Sequence, residues 1–130
     1  MSAFGTVSTT ACPCGNDAAY AACCEPLHLG IREAQTAEEL MRSRFAAYVR
    51  RDERYLMRTW HPRTRPAQMG LDGTPSWLRL TVLATADGRY DDRTGEVEFQ
   101  AFHDGGRLHE RSRFVRRAGH WVYVDGDLLD

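Results

Sequence analysis

All four cysteines of the chain stand in one stretch, "CPCGNDAAYAACC", as Cys12, Cys14, Cys23 and Cys24. Thiols in this number have three chemical uses: two disulfides, a redox couple or a metal site. Two close pairs with eight residues between them suit a tetrahedral cation. Four thiolates can enclose one Zn²⁺, with Pro13 stiffening the first pair and Gly15 letting the chain turn away beneath the metal. Bonding adjacent Cys23 to Cys24 closes a strained ring, so disulfides require each pair to reach across to the other. A redox motif places C-x-x-C at a helix start, and that spacing is missing. A site filled by four cysteines has no open coordination position, so the expected ion is structural. Such a centre carries a charge of about −2, which Arg32 and backbone N–H groups are expected to offset. His28 is read as a connector residue or a donor to a thiolate, with direct ligation as the alternative. "GNDAAYAA" is expected to form one helical turn with Tyr20 packed beneath the metal.

A second group of residues centres on Glu110. Alternation along "LHERSRF" puts Glu110 and Ser112 on the same strand face as Leu108 and Phe114. A carboxylate on an inner face needs a partner, for which Arg44, Tyr48, His61 and His103 are candidates. One reading is an ion pair with Arg44 or Arg42 that locks a helix to the sheet. The other is a ligand or catalytic pocket lined by Arg44, Tyr48, Trp60, His61, Trp77, Phe99 and Glu110. Trp60 and Trp77 also read as packing residues, and His61 before Pro62 as a helix end. No glycine-rich phosphate loop, nucleophile elbow or metal-hydrolase helix motif occurs.

The elements that must position these groups are legible from periodicity. "TAEELMRSRFAAYVRRD" predicts a helix, with Thr36 and Glu39 as a capping box and Met41, Phe45, Tyr48 and Val49 as its apolar stripe. Asp52 caps a shorter helix, "ERYLMRTW", ended by His61-Pro62. "PRTRPAQMGLDGTP", with three prolines and two glycines, predicts a long loop. The period then changes to two. "SWLRLTVLATA" sets Leu78, Leu80 and Val82 opposite Trp77, Arg79 and Thr81. "EVEFQAFH" sets Val97, Phe99 and Ala101 inward, and "LHERSRFVRR" and "HWVYVDG" complete an antiparallel meander. Helices followed by a curled sheet make an α+β plan in which the sheet wraps the long helix.

The chain has 130 residues, 42% hydrophobic and 27% charged, which supports one core and a small appendage. Its net charge of −1 comes from 17 basic and 18 acidic residues, so no overall field favours nucleic acid or an anionic membrane. Every basic residue is arginine, which excludes lysine chemistry. The arginines of "RSRFVRR" read as a solvated strand face, with weak nucleic-acid binding as an alternative. No signal peptide or long apolar run occurs, so a cytoplasmic protein with reduced thiols is expected.

The cysteine segment resembles the SEC-C motif, the zinc-binding element named for the tail of the SecA translocation ATPase, with pattern C-x-C-x₈-[C or H]-C. "PLHLG", "TAEELMRSRFAAYV", "YLMRTWHP", "VEFQAFH", "LHERSRFVR" and "WVYVDG" together resemble the YchJ-like family of uncharacterised bacterial proteins. The resemblance implies an NTF2-like, cystatin-related domain joined to a short zinc-binding N-terminus. The expected division is a flexible end over 1–11, the zinc element over 12–28 and the NTF2-like domain over 29–130. The function expected first is a protein-interaction or adaptor module docking a partner through the zinc element, with a homodimer possible on the main domain. A small-molecule or enzymatic pocket centred on Glu110 is the alternative.

Overall fold

A computed structural model of the chain describes residues 11–130. The expected flexible end lies outside them except for Ala11, which forms an antiparallel bridge with Ala19. A 3₁₀ turn at Tyr20–Ala22 leads into α1 (Glu25–His28), α2 (Ala37–Arg50) and α3 (Glu53–Arg58), and another 3₁₀ turn, Leu71–Gly73, interrupts the long loop. Four strands follow: β1 (Trp77–Asp87), β2 (Thr94–His103), β3 (Gly106–Arg117) and β4 (His120–Leu128). They form one antiparallel sheet in sequence order. Among the described residues no helix is long and apolar enough to cross a membrane.

The start of α2 follows from its cap. The Thr36 hydroxyl accepts the Glu39 N–H at 3.0 Å, and the Glu39 carboxylate accepts the Gln35 N–H at 2.7 Å, so the glutamate reaches one residue further back than in a standard capping box. Asp52 caps α3 through the Tyr55 N–H at 3.1 Å. Met41 and Phe45 of α2 pack on Leu80, Val97, Phe99, Ala101, Phe114 and Trp121 of the sheet. The helix is buried on more than the expected stripe, because Ala47 faces α3 and Ala46 faces the cysteines. The close approach of helix and sheet depends on glycine. A Cβ on Gly95 would lie 2.4 Å from the Gly88 Cα, and one on Gly88 would lie 2.7 Å from the Ala37 Cβ, so this hairpin admits no side chains where it meets the helix start.

β2 alternates as expected, with Val97, Phe99 and Ala101 buried. β1 does not. A bulge between Trp77 and Arg79 leaves Leu78 61% exposed and turns Trp77 to the core side, edge-on to Phe45 at 6.4 Å. α3 also ends earlier than expected. Beyond Arg58 the chain runs parallel to β4: the Tyr123 N–H donates to the Thr59 carbonyl at 2.8 Å, and the His61 N–H to the Tyr123 carbonyl at 2.7 Å. That short pairing fixes Trp60 against the Tyr123 ring.

Candidate metal centre and adjoining cavity

The metal-ligand candidates converge first. The sulfurs of Cys12, Cys14, Cys23 and Cys24 all lie within 4.8 Å of one another. At a Zn–S bond of about 2.3 Å, tetrahedral sulfurs sit about 3.8 Å apart. Cys14 and Cys23 are 3.6 Å apart and Cys23 and Cys24 4.0 Å, which brackets that value. Disulfides need about 2.05 Å, and all four thiols are free. The four cysteines therefore fit a cation. The Asn16 N–H approaches the Cys14 sulfur at 3.5 Å, and the Asn16 side-chain amide the Cys23 sulfur at 3.7 Å, so one residue supplies donors to two of the four sulfurs.

Electrostatics point the same way. A hydrogen bond from the Cys24 thiol and the nearby Asn16 N–H lower the Cys14 pKa to about 5 despite burial. Burial raises Cys12 to about 11, and hydrogen bonding with Cys14, reinforced by burial, pushes Cys24 upward as well. The cluster favours one thiolate and resists a second, because repulsion between buried anions is strong. A divalent cation removes that repulsion.

The element is anchored to α2. Arg42 donates to the Cys14 carbonyl at 2.8 Å, and Arg32 to the Cys23 carbonyl at 3.3 Å while pairing with Glu39. Arg32 thus meets the segment through a carbonyl, and Arg42, one of the two arginines expected as a partner of Glu110, does so more closely. His28 neither ligates nor touches a thiolate. Its Nε2 donates to the Ser43 carbonyl at 2.8 Å, and since a carbonyl only accepts, the proton sits on Nε2. Nδ1 then accepts the Tyr20 hydroxyl at 2.7 Å, and burial keeps the ring neutral by lowering its pKa. Tyr20 packs beside the cysteines as expected, with Arg50 over its ring at 4.1 Å.

The second group of candidates also largely converges. Arg44, Tyr48, Trp60, Trp77, Phe99 and Glu110 line a cavity of about 200 Å³ between α2, the loop and the inner sheet face. His61 does not. Its N–H is taken by β4, and its Nδ1 accepts the Arg63 N–H at 3.0 Å. The expected ion pair is also missing: among the described residues Glu110 bonds none of Arg42, Arg44, Tyr48, His61 or His103. Its Oε2 accepts the Ser112 hydroxyl at 2.7 Å and the Tyr123 hydroxyl at 3.2 Å. Arg44, only 5% exposed, donates instead to the Leu56 carbonyl at 2.9 Å and the Thr59 hydroxyl at 2.8 Å. Its guanidinium lies 5.0 Å from the Trp60 ring centre and 4.7 Å from that of Tyr123, an arrangement worth about 2 kcal/mol when desolvated. Sequence reasoning passed over Tyr123, although "HWVYVDG" carries the alternation that places it inward with Trp121.

A larger cleft, about 330 Å³, lies between the connector after α1, α3 and the β3–β4 turn. Several of its polar groups are already matched: Glu33 pairs with His120 at 2.7 Å, and Arg58 donates to the Leu27 carbonyl at 3.0 Å. Two of the β3 arginines are matched by carboxylates as well. Arg111 pairs with Glu98 at 2.9 Å and Arg113 with Asp125 at 2.6 Å, so the outer sheet face is mixed in sign rather than basic.

The family described as "YchJ, middle NTF2-like domain" matches residues 36–126. The chain belongs to the YchJ-like family. A UPF0225 protein of Streptomyces coelicolor is 54% identical over 94% of this chain and 98% of its own length. Another, from Xanthomonas oryzae, is 50% identical over 88% of this chain and 92% of its own. The solution structure of a SEC-C motif-containing protein from Rhodopseudomonas palustris superimposes with a TM-score of 0.78 at 35% identity, covering 92% of this chain and 98% of that one. The crystal structure of a SEC-C motif-containing protein from Psychrobacter arcticus gives 0.73 at 26% identity, over 98% and 86%. The NTF2-like fold is thereby established for the α+β sheet and its helices, with the cysteine cluster at its N-terminal side.

Proposed function

We propose that the protein binds a small molecule in the cavity between α2 and the inner sheet face, with the cysteine element as a metal-held brace on the back of the same helix. The observation that carries this reading is Glu110: a carboxylate on an inner face, bordered by a cavity and held by two hydroxyls rather than spent on an arginine. A half-buried carboxylate that opens on a cavity keeps an acceptor available for a ligand. The aromatic walls supply the apolar body typical of ligand sites, and Arg44 and Glu110 supply the few polar groups that orient a ligand. Fragment binding to the metal-replete chain, followed through the indole NMR signals of Trp60 and Trp77, tests the reading. A diverse library in which no compound moves either indole would sink it.

We infer zinc as the ion, in a structural role. Four soft thiolates at tetrahedral spacing suit Zn²⁺, and they leave no position for a substrate. Thiols kept free for a metal also suit the reducing cytosol. Elemental analysis of protein purified under reducing conditions should return about one zinc per chain; a stoichiometric different metal would overturn this assignment.

A second reading, docking of a protein partner at the metal element, is favoured by Leu29 and Ile31. They follow directly on α1 and are 66% and 76% exposed. Paired aspartates at these two positions should abolish capture of any specific partner by the intact chain. Capture that survives Leu29→Asp with Ile31→Asp argues against it.

A further inference from the structure

The polar groups of the cavity are only partly used, and what is left over has a definite chemistry. Arg44 commits Nη1 to Leu56 and Thr59. Among the described residues Nε and Nη2 donate no hydrogen bond, and no carboxylate pairs with the guanidinium. The Tyr48 phenol stands within hydrogen-bonding reach of the guanidinium, but it is a neutral acceptor that leaves the charge unmatched and can give way to a carboxylate. Nε and Nη2 form the side-on fork that matches the two oxygens of a carboxylate. The fork is held in place, since Nη1 is tied to α3 and the guanidinium plane rests against Trp60 and Tyr123. Trp60 adds a second unmatched donor: its Nε1 is buried with no partner.

Across the Tyr123 ring the balance reverses. The Tyr123 hydroxyl and Ser112 both donate to Oε2 of Glu110, and among the described residues Oε1 accepts nothing. Donors at one end and an acceptor at the other thus stand at different parts of the Tyr123 ring, with Arg44 over its face at 4.7 Å and Glu110 at its hydroxyl at 3.2 Å. The space between is lined by Phe45, Tyr48, Trp77, Phe99 and Phe114 and measures about 200 Å³. A dry cavity of roughly 150 Å³ accommodates benzene, so this one holds a single ring with a short substituent.

The geometry points to a small single-ring carboxylic acid bearing one O–H or N–H donor as the occupant: its carboxylate accepts from the Arg44 fork and its donor meets Glu110. This assignment rests on the reading of the cavity as a ligand site. Each polar end then has a partner, because the ligand's carboxylate pairs with Arg44 and its donor hydrogen-bonds the Glu110 carboxylate.

The test uses the metal-replete full chain and three probes: 4-hydroxyphenylacetate, 4-hydroxyphenylethanol, which lacks the carboxylate, and phenylacetate, which lacks the hydroxyl. Binding is followed by the indole NMR signals of Trp60 and Trp77 and by calorimetry. Charge-assisted hydrogen bonds lead us to expect 4-hydroxyphenylacetate to bind about 10-fold or more tightly than the alcohol. Glu110→Gln should narrow its advantage over phenylacetate. Because Arg44 also braces Leu56 and Thr59, the comparison of acid with alcohol is made on the unaltered protein. If the alcohol binds as well as the acid, the carboxylate assignment is wrong while the ligand site stands. If none of the three moves either indole, and a diverse fragment set also fails, both fall together.

Discussion

His28 donates from Nε2 to the backbone carbonyl of Ser43 across 2.8 Å and so fastens the cysteine element to the central helix. The bond continues through Tyr20 on one side, and on the other the Ser43 hydroxyl donates to the Leu40 carbonyl and accepts from Tyr55. His28→Leu leaves the Tyr20 hydroxyl without its acceptor and removes the bond that the Ser43 carbonyl accepts besides its helical one. We expect a loss of about 1–3 kcal/mol in chemical denaturation, with metal stoichiometry unchanged. Loss of the metal in this variant would show that His28 is a ligand after all.

Metal uptake should release protons. Cys12 and Cys24 are held protonated, Cys12 with a pKa near 11, while Cys14 is already ionised at neutral pH with a pKa near 5. A cation that binds thiolates must displace the protons of the first two, so affinity falls as pH falls. Calorimetry at pH 7 in buffers of different ionisation heat should give different apparent enthalpies. Identical enthalpies would mean that no proton leaves.

Gly126 bears directly on Glu110. A Cβ there would lie 2.1 Å from the Glu110 Oε2, so in Gly126→Ala the carboxylate must swing away and give up the Ser112 and Tyr123 hydroxyls. A loss of about 1–3 kcal/mol is expected. In the Glu110→Ala background the same substitution should cost much less, giving a double-mutant coupling of about 1 kcal/mol or more. Additive effects would show that the two residues do not interact.

His109 lies between two carboxylates, Glu98 at 2.7 Å from Nε2 and Asp130 at 2.9 Å from Nδ1. Both are acceptors, so both ring nitrogens carry protons and the imidazolium is favoured. The Asp130 and Glu98 hydrogen bonds raise the His109 pKa above its ordinary 6.5. A raised histidine pKa stabilises the fold fully below the unfolded value, and that contribution is lost as pH rises through the folded value. The Asp130 and Glu98 pKa values are lowered in turn, mainly by His109, so their share is lost only on strong acidification. NMR titration should place His109 above 6.5, and His109→Gln should flatten the stability decline on the alkaline side of neutrality. A titration midpoint below 6.5 would contradict the pairing.

Several of these relationships were legible in the chain before any coordinates. Thr36, Glu39 and Asp52 announce their helix starts because capping is local chemistry, settled within four residues. Val97, Phe99 and Ala101 announce the inner face of β2 because a regular strand alternates strictly. Alternation failed where the strands bulge. The irregularity between Arg113 and Phe114 pairs Phe114 with Tyr123 and Ser112 with Gly126. Without it an aspartate would face Ser112 and Glu110; with it Asp125 turns outward to Arg113 and a glycine makes room for the Glu110 carboxylate. No local signal in "YVDGD" marks that extra residue.

The sequence by itself determined the fold class, the two helix caps, the inward face of β2 and the four cysteines as one chemical unit, because each depends on near neighbours or strict periodicity. Tertiary structure decided what the buried charged groups do. It sent Arg42 to the cysteine element, tied His28 to Ser43 and kept His61 out of the cavity. It also laid Arg44 on two aromatic rings instead of on Glu110. Long side chains choose partners by distance and desolvation in three dimensions, and residues far apart in the chain, such as Arg44 and Tyr123, meet only where α2 packs against β4.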